Sequence, residues 1–223
     1  MINLSKRLKT IANFVDKGSI IADIGCDHAL LDIYLSQNNI IKKSVACDIT
    51  KGALNGAIKN VKKYNIANID LRLSDGLNEI KTNDNIDTIV MSGLGDIKII
   101  SIIDKNTDKL KNVNTIIIQS NVGVKNIRKY MMSIGYLIEN EKLVKDNNII
   151  YTVIKFVRGI KKYSNKQIEY GPILLLNKNN LFKELCENKI DKNNLILKQI
   201  PKTKIFKRIK IKINNFKIKQ VLK

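Results

Sequence analysis

Five short runs rich in Ile and Val recur through the first part of the chain: "SIIAD", "SVACD", "NIDLRL", "IDTIVMS" and "VNTIIIQS". Except in "NIDLRL", their apolar residues do not alternate with polar ones, so those strands must be covered on both faces. A stretch with helical spacing follows the first, second, fourth and fifth runs, and the loop "SDGL" follows the third. Repeated strand–helix alternation of this kind gives a mostly parallel sheet with helices on both sides. The expected fold class is therefore α/β. Leu4, Leu8, Ile11, Ala12 and Val15 make a first amphipathic helix, ended by Lys17-Gly18. Further helices are expected over Ala29–Gln37, with Asp27 as its cap, over Lys51–Tyr64, capped by Thr50, and over Asp96–Asp104 and Asn126–Ile134. "YLIENEKLVKDNNIIYTVIKFV" reads as two strands around Asp146-Asn147-Asn148, which adds an antiparallel terminal strand.

After Arg158 the texture changes. The reading is one α/β domain over 1–158 and a basic, mainly helical extension over 159–223. "ILLLNKNNLFKELCENKI" is helical in pattern, and Pro201 breaks the chain. In the last segment Ile205, Ile209, Ile213 and Phe216 can line a helix face, while Ile209, Ile211 and Ile213 can equally alternate along a strand. A two-helix appendage is the expectation. Charge is uneven: residues 160–223 hold 17 Lys and Arg against 4 Asp and Glu, a net of +13 within the chain's +20. Abundant Lys, Ile and Asn with no Trp also fits an AT-rich genome. A uniform bias, however, would not concentrate the charge at one end, so a polyanion, nucleic acid above all, is the expected partner. No run reaches the length of a membrane-spanning helix, and the amphipathic start is not a secretory signal. Cys26, Cys47 and Cys186 form no C-x-x-C, and with one His no zinc site is expected. These features point to a cytoplasmic protein, read here as a monomer.

The first loop, "ADIGCDHALL", narrows the chemistry. A dinucleotide site leaves bare glycine backbone for two phosphates. Here Asp27 and His28 occupy that place, and a carboxylate repels pyrophosphate. S-adenosylmethionine carries a sulfonium and an ammonium and no phosphate, so acidic side chains suit it. Asp48, at the end of the second run, can take ribose hydroxyls. Asp75, in "SDG" after the third, can accept from an adenine amino group. For any one of these the plain alternative is a loop-capping Asp; three at successive strand ends make a pattern.

These residues resemble a known family. "LSKRLKTIANFV", "ADIGCDHALL", "CDIT", "SDGL", "MSGLG" and "IIIQSN" stand in the order and spacing of the TrmK family, and "YGPILL" matches the start of its helical C-terminal part. The resemblance implies a class I, Rossmann-like methyltransferase sheet with a helical extension. It also implies methyl transfer from S-adenosyl-L-methionine to N1 of adenine-22 in tRNA. The cofactor-binding residues would be Asp23, Gly25, Asp48, Ile49, Asp75, Gly76, Gly93 and Gly95. Asp27, His28, Gln119 and Asn121 would serve catalysis. Asp27 would hold the adenine amino group or balance the new ring cation, and Gln119 and Asn121 would read the base edge. His28 is either oriented for catalysis or simply packed. The chain departs from the family pattern at Asp96 (a glycine there), at Ser120 and at Asp32 (prolines there). Asp96 is expected to add a carboxylate near the mouth of the site. An inactive RNA-binding module, and a methyltransferase with another substrate, stay open as rival readings.

Overall fold

The computed structural model describes residues 2–223. The five apolar runs form β1 (Ser19–Ile24), β2 (Ile41–Asp48), β3 (Ile69–Leu73), β4 (Thr88–Leu94) and β5 (Thr115–Ser120), all parallel. A hairpin of β6 (Tyr136–Asp146) and β7 (Ile149–Arg158) completes the sheet, with β7 antiparallel to β5, in the order β3-β2-β1-β4-β5-β7-β6. The hairpin turns at Asn147 (φ 47°) and Asn148 (φ 61°), both left-handed as a two-residue turn of this twist requires.

The lack of alternation has the expected cause. In β5, Ile116 and Ile118 enter one core while Ile117 enters the other. The first core is closed by α4 (Asp96–Asp104) and α5 (Val124–Ser133), through Ile99, Ile103, Ile127 and Met131. The second is closed by α1 (Lys6–Ala12) and α2 (Leu30–Gln37), through Ile11, Leu31 and Leu35. Ala57 of α3 (Lys51–Lys63) packs on Ala46 and Cys26. Thr50 caps α3 by accepting from the Ala53 amide, as expected. Because the chain winds outward from β1 to β3 and resumes at β4 on the other side, a crevice opens at the carboxyl ends of β1 and β4.

Two expectations fail. Asp27 does not cap α2: the helix begins at Leu30, after Ala29 in a left-handed conformation (φ 54°), with no side-chain cap. Asp27 is itself left-handed (φ 52°) and lies two residues before the cap position, Ala29. The extension has four helices, not two: α6 (Asn165–Tyr170), α7 (Pro172–Asn177), α8 (Asn180–Gln199) and α9 (Ile205–Leu222). Gly171 (φ 93°) with Pro172 ends α6, and Asn179 restarts the chain by accepting from the Phe182 amide. The last segment resolves as a helix, but its Ile205, Ile209, Ile213 and Phe216 stripe faces outward. Asn215, Ile218 and Val221 make the buried face instead.

The extension is fastened to the sheet. Leu143 of β6 packs with Leu174, Phe182 and Ile218. Arg128 of α5 donates from Nε to Glu141 Oε1 of β6 at 2.6 Å, the two side chains being 2% and 0% exposed. Glu141 Oε2 then accepts from the Ile173 amide of α7. Arg208 donates to the carbonyls of Leu197 and Ile200, satisfying the end of α8. Among the described residues no helix is long and apolar enough to cross a membrane.

Candidate active site

A cavity of about 460 Å³ lies over the carboxyl ends of β1, β2 and β4. Asp23, Gly25, Asp27, His28, Asp48, Ile49, Asp75, Gly76 and Gly93 line it, so the structure brings most of the residues singled out from sequence to one place. Gly25 (φ 82°) makes the turn out of β1 that other residues resist, and the Gly25 and Cys26 amides donate to the Cys47 carbonyl. Asp48 holds the same loop. Its Oδ2 accepts from the Asp27 amide at 3.2 Å, and its Oδ1 from the amide and hydroxyl of Thr50 at 2.8 and 2.9 Å. With about four acceptor positions on a carboxylate, roughly one is left for a ligand.

Beneath the loop lies a carboxyl pair that sequence reasoning did not anticipate. Asp23 is 4% exposed and Asp32 fully buried. Asp32 Oδ1 accepts from Ser44 Oγ, while Oδ2 receives no hydrogen bond from an N–H or hydroxyl donor. The group facing it is the Asp23 carboxyl. Burial pushes Asp23 well above the ordinary carboxylate range, and the negative charges of Asp32 and Asp48 push it further. Burial raises Asp32 as well. A proton on Asp23, donated to Asp32 Oδ2, satisfies the orphaned oxygen and removes one of two facing charges. Asp32, a departure from the family pattern, thus lies under the cavity floor.

At the mouth, the Asp27 carboxylate is 73% exposed, 3.6 Å from His28 Nε2. The His28 ring rests on Gly56 of α3, where a Cβ would collide with it, and its carbonyl accepts from Asn60 Nδ2. Asp75 faces Lys98 of α4, whose ammonium at 2.9 Å hydrogen-bonds it and holds it below the ordinary carboxylate range.

The remaining sites do not line the cavity. Gly95 is not part of the lining; it precedes α4 with an ordinary backbone (φ −82°). Gln119 is fully buried. Its Oε1 accepts from Arg7 Nη1 (2.7 Å), Ser92 Oγ (3.1 Å) and the Gly93 amide (3.1 Å), and its Nε2 donates to Asn121 Oδ1 (3.2 Å). Gln119 thus braces the loop after β4. Asn121 is exposed and donates from Nδ2 to the Gly93 carbonyl. Asp96 corrects an expectation: it does not reach the mouth. Its carboxylate accepts from Asn126 Nδ2 at 2.7 Å and packs on Gly123, which has no Cβ to obstruct it. Ser120 Oγ lies 2.6 Å from the Val122 carbonyl and 3.0 Å from the Leu94 carbonyl, so its one hydroxyl proton ties this turn.

Arg7, Ser92, Thr50 and Lys98 also line the cavity and were missed. For Arg7 a signal existed. It lies three residues after Leu4 and four before Ile11, so a cation occupies the apolar face of α1.

Residues 21–221 match the family model described as tRNA (adenine(22)-N(1))-methyltransferase. The chain is 30% identical over 206 residues to the protein of that name from Bacillus subtilis, covering 89% of this chain and 86% of that protein. Its structure is similar to that of M. capricolum TrmK in complex with S-adenosyl-homocysteine (TM-score 0.88, 36% identity, 99% of both chains). A Streptococcus agalactiae protein of the NADB-Rossmann superfamily gives a TM-score of 0.95 at 33% identity, over 100% of this chain and 98% of that one. The chain belongs to the TrmK family of tRNA (adenine(22)-N(1))-methyltransferases.

Proposed function

We propose that this chain transfers a methyl group from S-adenosyl-L-methionine to N1 of adenine-22 in tRNA. The observation that carries the reading is the acidic cavity at the β1/β4 crevice, in a chain of the TrmK family. Its lining fits this cofactor. Asp48 and Asp75 line it and can accept from the hydroxyl and amino donors of a nucleoside, and the Asp27-bearing loop favours a cation over a pyrophosphate. When bound, S-adenosylmethionine supplies an electrophilic methyl on a positively charged sulfur.

The protein's share of the work is positioning and charge. Adenine N1 carries a lone pair, so no base need remove a proton before attack. Methylation leaves a positive charge on the ring, and a carboxylate near that charge lowers the barrier. Asp27, unpaired except for His28 at 3.6 Å, is the exposed carboxylate at the mouth. Asn121 keeps one N–H and one acceptor position for a base edge, while Gln119 acts behind it by holding Asn121 and the Gly93 loop. His28, packed on Gly56, orients the Asp27 side chain.

Residues 159–223 serve to hold the tRNA backbone. Lys207, Lys210, Lys212 and Lys217 are exposed beside the Ile205–Phe216 stripe, on which Phe206 (90% exposed) and Phe216 offer faces for unpaired bases. Arg208 is left out, being committed to α8. The working unit in this proposal is a cytoplasmic monomer, checked by sedimentation with and without tRNA. The function is tested by digesting tRNA after incubation with labelled cofactor. Labelled 1-methyladenosine is expected; label in another nucleoside would overturn the reading.

A further inference from the structure

We propose that a second cavity, between the sheet domain and the extension, receives a nucleotide next to position 22 of the tRNA, an inference that rests on the tRNA reading above. This cavity measures about 360 Å³. The end of β5 and the loop into α5 form one wall, and α8 with the end of α6 forms the other. Along α8, Leu185, Asn188, Lys189 and Lys192 recur at helical spacing, so one face of the helix looks into the cavity. That face changes character along its length. Phe182, Leu185 and Cys186 give an apolar floor together with Leu174 of α7, while Asn188, Lys189 and Lys192 are exposed at the rim. The Tyr170 ring joins the lining, with the Lys189 ammonium 5.7 Å from its centre.

Charge and position identify the occupant. The rim carries Lys125, Lys189 and Lys192 against a single carboxylate, Glu169. Glu169 pairs with Lys125 at 2.7 Å and with Lys189 at 2.8 Å, which leaves Lys192 with no acidic partner within ion-pair distance among the described residues. Arg128 also reaches the lining but is committed to Glu141. An apolar floor, an aromatic ring and an excess of ammonium groups suit a flat base with an anionic linkage. The volume lies at the small end of ligand cavities, which run from about 300 to about 1,000 Å³, so it admits one nucleotide and not a duplex. Surfaces already assigned to the reaction and to the RNA lie on either side. Asn121 lines this cavity, and its Nδ2 donates at 2.8 Å to the carbonyl of Gly93, which lines the cofactor cavity. On the far side, Lys125, Glu169, Tyr170 and Lys189 are shared with the groove beside α9 that bears Phe206, Phe216 and Lys210. A strand that leaves α9 for the active site passes over this cavity, and with adenine-22 at Asn121 its neighbour stands over the apolar floor.

A cycle of one protein change and one RNA change tests this, read as tRNA affinity by filter binding, which needs no methyl transfer. Asn188→Trp fills the rim from an exposed helical position, and Lys192→Trp, one turn further on, takes its place if that variant does not fold by circular dichroism and thermal melting. The RNA change removes the base alone at position 21 or 23. The wild type is expected to lose about tenfold in affinity for one of these two RNAs, which names the side from which the nucleotide comes. The Trp variant is expected to lose about tenfold for intact tRNA and nothing more for that RNA, because the place of the missing base is already filled. Lys192→Gln should weaken binding and flatten its log–log salt slope by about 0.7–0.9. S-adenosylhomocysteine, whose cavity is the other one, should bind all variants as it binds the wild type in calorimetry. The proposal is overturned if the two losses multiply, if neither RNA change affects the wild type, if the folded Trp variant binds tRNA as the wild type does, or if Lys192→Gln keeps the wild-type slope. A wild-type chain that shows the coupling yet methylates no tRNA would count against the proposed reaction and not against the cavity.

Discussion

The carboxyl pair under the loop gives a stability prediction with a definite sign. Asp23 is raised well above its ordinary value of 3.8 by burial and by the charges of Asp32 and Asp48. Between that ordinary value and the raised one, the folded chain keeps a proton that the unfolded chain has lost. The pair's contribution is thus complete below about pH 3.8 and declines as pH rises through the folded value. One retained proton makes stability fall by about 1.4 kcal/mol per pH unit within that window. Asp32→Asn leaves burial and the Asp48 charge in place but removes the facing negative charge. The amide nitrogen takes the place of Oδ2 and donates to an ionised Asp23, and the amide oxygen still accepts from Ser44. Urea unfolding, followed from about pH 5 to about pH 8, should show the wild type losing stability with pH more steeply than the variant. Parallel curves for the two proteins would refute the shared proton.

Other consequences are equally direct. Arg128→Met should cost about 3–5 kcal/mol, because Glu141 is left charged and buried, and replacing both partners with apolar residues should recover much of that in the same denaturation assay. Asp27→Ala should leave S-adenosylhomocysteine affinity nearly intact while lowering turnover; a loss of under about threefold, worth roughly 0.7 kcal/mol of barrier, would reduce Asp27 to a loop residue. Replacing Lys207, Lys210 and Lys212 with Gln should weaken tRNA binding regardless of sequence and flatten its salt slope by about 2 or more in filter binding, whereas an unchanged slope would return recognition to the sheet domain. Gly76→Ala should destabilise the chain by about 1 kcal/mol or more, since Gly76 has φ 63° and an added Cβ would lie 2.9 Å from Ile102.

What was legible in the sequence was what periodicity encodes. The unbroken Ile/Val runs marked strands covered on both faces, and the acids at their ends marked the crevice, because strand ends in a parallel sheet converge there. The direction of a side chain was not legible. Gln119 and Asp96 have the chemistry of site residues, yet backbone geometry turns both into the packing behind the cavity. Asp27 reads as a helix cap until its left-handed backbone is seen. Arg7 showed itself only as a cation on the apolar face of α1; its partners Ser92 and Gln119 lie 85 and 112 residues away, a distance that no local pattern spans. In the extension, the alternation that suggested a strand came from isoleucines on a helix whose apolar stripe is exposed among the described residues.

Reverse transcription of tRNA after the reaction tests the central claim most directly. A methyl on N1 occupies the pairing edge of adenine, so the transcriptase halts at the modified base. With this chain and S-adenosylmethionine, a new stop at position 22 is expected, and none on a transcript carrying guanine there. Stops at another position, or methyl incorporation unaffected by the change at position 22, would contradict the account.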